Sequence, residues 1–323
     1  MTELETAIHA QPAELRRLAE LSLPLRVREL GDAERVWLVG TGTSLHAAEL
    51  GAMMLQRAGL DARFSSSMDF ALRAPLRTGD AVVVLTHTGS TAHARASRQR
   101  ALDAGARLLS VTATEVGWPE AIEATERERS HTYTRSYTAV LAILALIADE
   151  LGADGLGPRA ILATADALER VLANPGAGTL PEPPRLLVLC GSGPGSVTAR
   201  EGALKLREAA RLTAEGYDAE FLLHGSAVPL GAHDALVVLD GARDSEGFLP
   251  RLAAAARAEG VPVMELEQPE PEDALMAQIA LVAHCQLAAL RRAEAGGHDP
   301  DRVIVGAWHS DELWETGAPT SGA

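Results

Sequence analysis

The sequence predicts an α/β protein built from two parallel β-sheets, each flanked by helices. Short apolar runs of strand length alternate with longer segments whose apolar residues recur at helical spacing. This alternation is typical of βαβ units, in which parallel strands are covered by helices on both faces. The pattern restarts after residue 184, so the sequence also predicts an approximate internal repeat.

The first half opens with an N-terminal helical arm, residues 1–34, whose helical spacing is broken at Pro24. Apolar runs after the arm predict strands at 36–40, 62–66, 81–85 and 107–112. The segments between them predict helices at 45–58, from after residue 91 to 104, and at 137–151, with a short connector at 71–76. Residues 35–173 are therefore expected to form the first domain.

The second half is set off by residues 174–184, which are rich in Pro and Gly and form the predicted linker. Further apolar runs predict strands at 185–190, 235–239 and 261–266, and a helix at 274–290. Residues 185–310 are expected to form the second domain, and residues 311–323 a C-terminal tail.

Composition limits the classes of partner. Of the 323 residues, 47% are hydrophobic and 23% charged, which is typical of a folded globular chain. The net charge of −15 argues against a nucleic-acid or anionic-membrane surface. No signal-peptide pattern is seen, and the longest apolar run, 139–148, is too short for a bilayer, so a cytoplasmic protein is expected. With two cysteines and no paired histidines, no disulfide framework, metal or cofactor is expected.

The chain has a single lysine, Lys205, among 29 basic residues. Glu201, Lys205 and Glu208 fall on one face of a predicted helix, at i, i+4 and i+7. One interpretation is a solvated ladder of charges. The alternative is a buried group in which two carboxylates support an ammonium, or in which a carboxylate is tuned as a base beside a cation. The surrounding Ala and Leu residues favour the buried group.

Two predicted strands end in turns rich in hydroxyl groups, at 40–44 and 86–91. In a parallel sheet such turns line one crevice, where backbone N–H groups, helix N-termini and hydroxyls can hold an anion. The alternative is that these residues only cap the helices that follow. The residues that could converge on one dianion are Thr43, Ser44, Thr86, Thr88 and Thr91.

Two histidines are open to more than one interpretation. His224 follows the charged helix region and is either a core residue or a catalytic one. His87 lies within the second hydroxyl turn and could donate to a phosphate or line the wall of the pocket.

The run EGALKLRE at 201–208, followed by Glu215, Tyr217, Glu220 and His224-Gly225, resembles the sugar isomerase (SIS) family. It is most similar to the isomerase half of glucosamine-6-phosphate synthase and to stand-alone SIS-type deaminases. The resemblance covers about residues 30–310 and implies two tandem SIS domains, each a flavodoxin-like α/β/α layer structure. The glutaminase half of the synthase has no counterpart here, so glutamine-dependent amination is not expected.

The resemblance also implies roles for individual residues. Glu208 would move a proton between C1 and C2 of an open-chain sugar, with Lys205 beside it. His224 would assist ring opening and reach the site from the second subunit of a homodimer. The turns and the similar segment at 134–138 would bind the substrate, a small sugar phosphate. The implied substrate-binding residues are Thr43, Ser44, Thr86, His87, Thr88, Thr91, Thr134 and Glu201.

Three departures from the family pattern bear on the reaction. Ser226 replaces a proline after His224-Gly225, and Ser90 replaces a glutamate in the second turn. The tail keeps Asp299-Pro300-Asp301, but no lysine follows, so an imine through a tail lysine is not available; His309 or Glu312 could fill that space. The expected function is phosphosugar isomerisation or deamination, as in glucosamine-6-phosphate deaminases. The alternatives are a fructosamine-6-phosphate deglycase and a non-catalytic sugar-phosphate-binding regulator.

Overall fold

The structure, a computed structural model, describes residues 1–240, 246–267 and 270–319. These residues divide into two compact units. The β1–β5 unit contains residues 13–129, 135–162 and those from 304 onward. The β6–β9 unit contains residues 1–12, 130–134 and 163–303. The predicted division into arm, two domains, linker and tail stays a prediction.

The β1–β5 unit is built on a parallel sheet with the strand order β2-β1-β3-β4-β5. The strands are β1 (Arg35–Gly40), β2 (Ala62–Ser66), β3 (Asp80–Leu85), β4 (Arg107–Ala113) and β5 (Ala121–Thr125). The helices are α2 (Thr43–Arg57), α3 (Ser67–Arg73), α4 (Ala92–Asp103) and α5 (Arg135–Glu150). Every residue of β1 and β3 is buried, which explains their unbroken apolar runs.

The β6–β9 unit is built on a second parallel sheet, with the order β7-β6-β8-β9. The strands are β6 (Leu186–Gly191), β7 (Ala214–Asp218), β8 (Asp234–Asp240) and β9 (Val263–Glu267). The helices are α7 (Pro194–Ala210), the short α8 (Ala219–Phe221), α9 (Phe248–Ala258) and α10 (Ala274–Ala295). Its order matches the first four positions of the other sheet. The predicted α/β class, with helices flanking parallel sheets, is confirmed.

The remaining elements begin with α1 (Glu3–Ala19), a 3₁₀ segment at Leu25–Asp32 and α6 (Pro158–Ala173). The last elements are a 3₁₀ turn at Gly306–His309 and α11 (Asp311–Glu315). Residues 174–184 contain no helix or strand, and the carbonyls of Leu180 and Pro181 accept hydrogen bonds from Arg292.

Several predicted elements were wrong or missed. The connector predicted at 71–76 overlaps α3, which begins where Ser66 Oγ accepts a hydrogen bond from the Asp69 N–H (3.1 Å). The strands β5 and β7 lie at sheet edges and mix buried with partly exposed positions, so neither has a continuous apolar run. The arm is α-helical only as far as Ala19, and its second part is the 3₁₀ segment at Leu25–Asp32.

The helices α7 and α10 of the β6–β9 unit approach each other closely at a glycine. Gly202 of α7 faces α10, and a Cβ atom at that position would lie 2.6 Å from Cys285 Sγ. Among the described helices, α10 is long and apolar enough to cross a membrane, but 89% of its most apolar stretch is buried. This burial is the arrangement of a core helix.

Candidate functional site

The charged face of α7 is a buried cluster. Lys205 Nζ lies 2.5 Å from Glu208 Oε2 and 3.4 Å from Glu201 Oε1. The side chains of Lys205 and Glu201 are 0% exposed, and that of Glu208 is 19% exposed. A solvated ladder of charges is therefore excluded, because two of the three groups have no access to water.

Burial determines the acid–base properties of this cluster. Removal from water raises the pKa of Glu208, and the Lys205 ammonium acts against that increase. Burial also raises the pKa of the Cys285 thiol to about 12, with a smaller contribution from Glu201. The thiol is thus a protonated packing group. Glu208 is the member of the cluster that combines partial exposure with a raised pKa.

The turn between β1 and α2 places Thr43 and Ser44 at a helix N-terminus. Gly42 occupies the N-cap position with φ 54° and makes no side-chain cap. A Cβ atom on Gly40 would lie 2.4 Å from the Ser44 carbonyl oxygen, so the strand end and the helix start touch. Thr43 and Ser44 are partly exposed in the first turn of α2. They can donate to an anion held there.

The turn between β3 and α4 leaves the same edge of the sheet, because β1 and β3 are parallel neighbours. Thr86 is buried, and the Thr88 and Ser90 hydroxyls lie 2.7 Å apart. Thr91 is the N-cap residue of α4, but its side chain makes no capping hydrogen bond. The N-cap residue of neither helix makes a side-chain capping hydrogen bond.

His87 is held within the second turn. Its Nε2 accepts a hydrogen bond from the backbone N–H of Glu128 (2.8 Å), and burial lowers the pKa of the ring. Sequence reasoning missed Glu128, whose buried carboxylate accepts from the N–H groups of Arg135 (3.3 Å) and Ser136 (2.9 Å). The only signal in the sequence was that Glu128 lies seven residues before the start of α5, which is weak evidence that its carboxylate caps that helix.

The described hydrogen bonds do not connect the other predicted residues to the α7 cluster or to the two hydroxyl turns. His224 is exposed within a π-helical turn at Leu222–Ser226, and the hydrogen bonds described do not join it to Glu208. Thr134 is buried in the β6–β9 unit. In the tail, His309 and Glu312 are exposed. Residues 241–245, which follow the predicted strand at 235–239, lie outside the described residues.

The tail pairs with α4 through a different acid. Glu315 Oε2 lies 2.5 Å from Nη2 of Arg95, and Arg95 is four residues after Thr91 on α4.

Within the described ranges, no group of three or more metal-ligating side chains could hold a metal ion.

Comparison with known proteins finds relatives of the chain that are named for reactions of sugar phosphates. No protein-family model matches the chain. It is 26% identical to the glutamine–fructose-6-phosphate aminotransferase (isomerizing) of Pyrococcus horikoshii, over 93% of this chain and 54% of that protein. The enzyme of Staphylococcus aureus is also 26% identical, over 68% and 41%. The chain spans about half the length of the curated relatives it matches.

Solved structures with the same fold cover nearly the whole chain. Tagatose-6-phosphate ketose/aldose isomerase from Escherichia coli superposes with a TM-score of 0.81 at 18% identity, covering 94% of this chain and 96% of that one. Glucosamine-6-phosphate deaminase from Thermotoga maritima gives 0.76 at 16% identity, covering 93% and 97%. These likenesses show the fold. The chain thus resembles the sugar isomerase (SIS) family, and within it the isomerase part of glutamine–fructose-6-phosphate aminotransferase, as its motifs predicted.

Proposed function

We propose that the chain is an aldose–ketose isomerase or amino-sugar phosphate deaminase that moves a proton between C1 and C2 of an open-chain 6-phosphosugar. The observation that carries this proposal is the buried Glu201–Lys205–Glu208 cluster on α7. Burying an ammonium and a carboxylate costs free energy even when they are paired. A cluster of this kind, with one partly exposed acid, is typical of a site that transfers protons.

Glu208 is the base in this proposal. A carboxylate with a raised pKa is a stronger base, and the Lys205 ammonium favours its ionised form. The proton taken from one carbon passes to Glu208 and returns to the neighbouring carbon through an ene-diol or enolamine. The carboxylate is thereby regenerated. In the deaminase reaction the proton taken from C2 returns to C1, and water hydrolyses the resulting C2 imine to a ketone and ammonia.

The substrate's phosphate is held by the two hydroxyl turns. Thr43 and Ser44 lie in the first turn of α2, and Thr91 is the N-cap residue of α4, so hydroxyl groups lie at two helix N-termini on one edge of the sheet. Binding a remote phosphate can position the carbon centre for reaction. Direct contacts of Thr134 and Glu201 with the sugar are not part of this proposal, because both side chains are fully buried. His224 assists ring opening from the second subunit of a homodimer.

Glucosamine 6-phosphate is the first substrate to test. Enzymes named for amino-sugar or ketose 6-phosphates recur among the relatives and structural neighbours. No lysine occurs in residues 299–323, and the proposal uses no imine with a protein lysine. Deglycation of a fructosamine 6-phosphate and non-catalytic binding of a sugar phosphate are the alternatives that the test separates.

The test is incubation with glucosamine 6-phosphate in deuterated water. Deamination predicts release of ammonia and exchange of the C2 proton, whereas a binding protein gives neither but gains thermal stability from the ligand. Glu208→Gln should abolish exchange and keep ligand-induced stabilisation. Glu294→Gln, at an exposed carboxylate on α10, is the matched control and should behave as the wild type. Exchange that persists in Glu208→Gln would show that another group is the base.

A further inference from the structure

The turn between β3 and α4 is attached to neighbouring segments through one residue. The backbone carbonyl of His87 accepts a hydrogen bond from the N–H of Ala113 (3.0 Å), and its ring Nε2 accepts from the N–H of Glu128 (2.8 Å). A ring nitrogen that accepts a hydrogen bond carries no proton. The contact therefore requires a neutral imidazole with its proton on Nδ1.

Glu128 extends this attachment to α5. Its carboxylate is buried and accepts hydrogen bonds from Arg135 and Ser136, the first two residues of that helix. The same residue thus binds the His87 ring through its backbone and the α5 N-terminus through its side chain. Movement of the ring would loosen the hydroxyl turn from the helix that Glu128 caps.

The charged groups around the ring act on its pKa in both directions. Glu128 and Glu115 favour the protonated form, while Arg127 and Arg135 oppose it. Burial is the largest influence and lowers the pKa of His87, so the ring is neutral at neutral pH. Protonation on acidification would remove the acceptor that the Glu128 N–H requires.

We propose that His87 is a positioning residue that keeps the hydroxyl turn in its anion-binding form only while its ring is neutral, so that anion affinity falls on the acid side. The inference rests on the proposed function, since it takes the turn to be the phosphate site. The proposed role and direct binding of the anion by His87 predict opposite changes of affinity with pH. An imidazolium in contact with a dianion would strengthen binding as the pH falls, whereas loss of the Glu128 hydrogen bond weakens it.

The test measures sulfate binding by calorimetry between about pH 5 and about pH 8, because sulfate stays a dianion throughout while a phosphate ester gains a proton near pH 6. His87→Gln supplies an amide oxygen that can accept the same N–H but does not titrate. In the wild type the apparent Kd should rise by up to about tenfold per unit of pH below the ring's pKa, in proportion to the neutral fraction. In His87→Gln the ratio of acid to alkaline Kd should stay near one. His9→Gln, at an exposed histidine of α1, should keep the wild-type profile.

Each outcome is informative. Wild-type protein that binds neither sulfate nor glucosamine 6-phosphate at about pH 8 would overturn the proposed anion site itself. Binding with the same pH profile in wild type and His87→Gln, or binding that strengthens in acid, would overturn the role of His87 alone. Imidazole ¹⁵N shifts of the wild type, assigned by the signal lost in His87→Gln, should show the Nδ1–H tautomer. An Nε2–H tautomer would contradict the proposal whether or not the variant folds.

Discussion

The turn after β1 and the turn after β6 share a backbone but differ in chemistry. Gly42 and Gly193 have nearly the same dihedral angles, φ 54° and ψ −130° against φ 50° and ψ −123°. The turn after β1 continues with Thr43, whereas the turn after β6 continues with Pro194, which has no N–H to donate. The same loop geometry thus carries a different set of hydrogen-bond donors in each turn.

The helices that follow these turns differ in the same way. Of the cluster on α7, Lys205 and Glu201 are fully buried, and the ammonium is held between two acids. The α2 helix contributes hydroxyls at its first turn instead. In the proposed function, the hydroxyl turns therefore bind the anion and the α7 cluster transfers the proton.

The largest effect is expected from removing the cation that distinguishes α7. Lys205→Met leaves Glu201 buried without its ammonium partner, and breaking a buried pair in this way typically costs about 3–5 kcal/mol. Urea unfolding should show this loss, and proton exchange should be abolished. Glu201→Gln combined with Lys205→Met should recover part of the stability, because the stranded charge is removed. Equal stability of Lys205→Met and the wild type would mean that the cluster is not buried in solution.

Sequence reasoning predicted the α7 cluster because its members are close along the chain. A spacing of four and seven residues places Glu201, Lys205 and Glu208 on one face of any helix, whatever the tertiary structure. The contact between His87 and Glu128 joins residues 41 positions apart, so no local pattern reports it. The buried strands β1 and β3 were predicted because their signal, an unbroken apolar run, also lies in residues that are close along the chain. The edge strands β5 and β7 were missed because their burial depends on neighbours that the local sequence does not identify.

The second prediction tests the shared backbone. A Cβ atom on Gly40 would lie 2.4 Å from the Ser44 carbonyl oxygen, and one on Gly191 would lie 2.6 Å from the Gly195 carbonyl oxygen. In both turns the obstacle is backbone, so Gly40→Ala and Gly191→Ala should each lose about 1–3 kcal/mol in the free energy of unfolding.

The ligand response should separate these two variants. Gly40→Ala displaces the start of α2 and should weaken binding of glucosamine 6-phosphate, measured by calorimetry. Gly191→Ala should affect stability to a similar extent and phosphate affinity less. If only one variant is destabilised, the two turns do not share the constraint that their dihedral angles indicate.

The smallest effects are expected from removing one serine hydroxyl in each turn, which tests directly whether the hydrogen-bond donors of the two turns differ. Ser44 lies in the first turn of α2, whereas the Ser196 hydroxyl of α7 already donates to the Gly193 carbonyl (2.8 Å). A hydrogen bond to a charged group contributes about 1.5–3 kcal/mol, so Ser44→Ala should weaken glucosamine 6-phosphate binding by roughly tenfold or more with little loss of stability. Ser196→Ala should do the reverse, losing about 1 kcal/mol of stability while phosphate affinity stays unchanged. Calorimetry and urea unfolding on both variants measure the two effects separately. If Ser196→Ala weakened binding as much as Ser44→Ala, the difference in chemistry between the turns would not explain where the anion binds, and the α7 turn would have to be counted in the phosphate site.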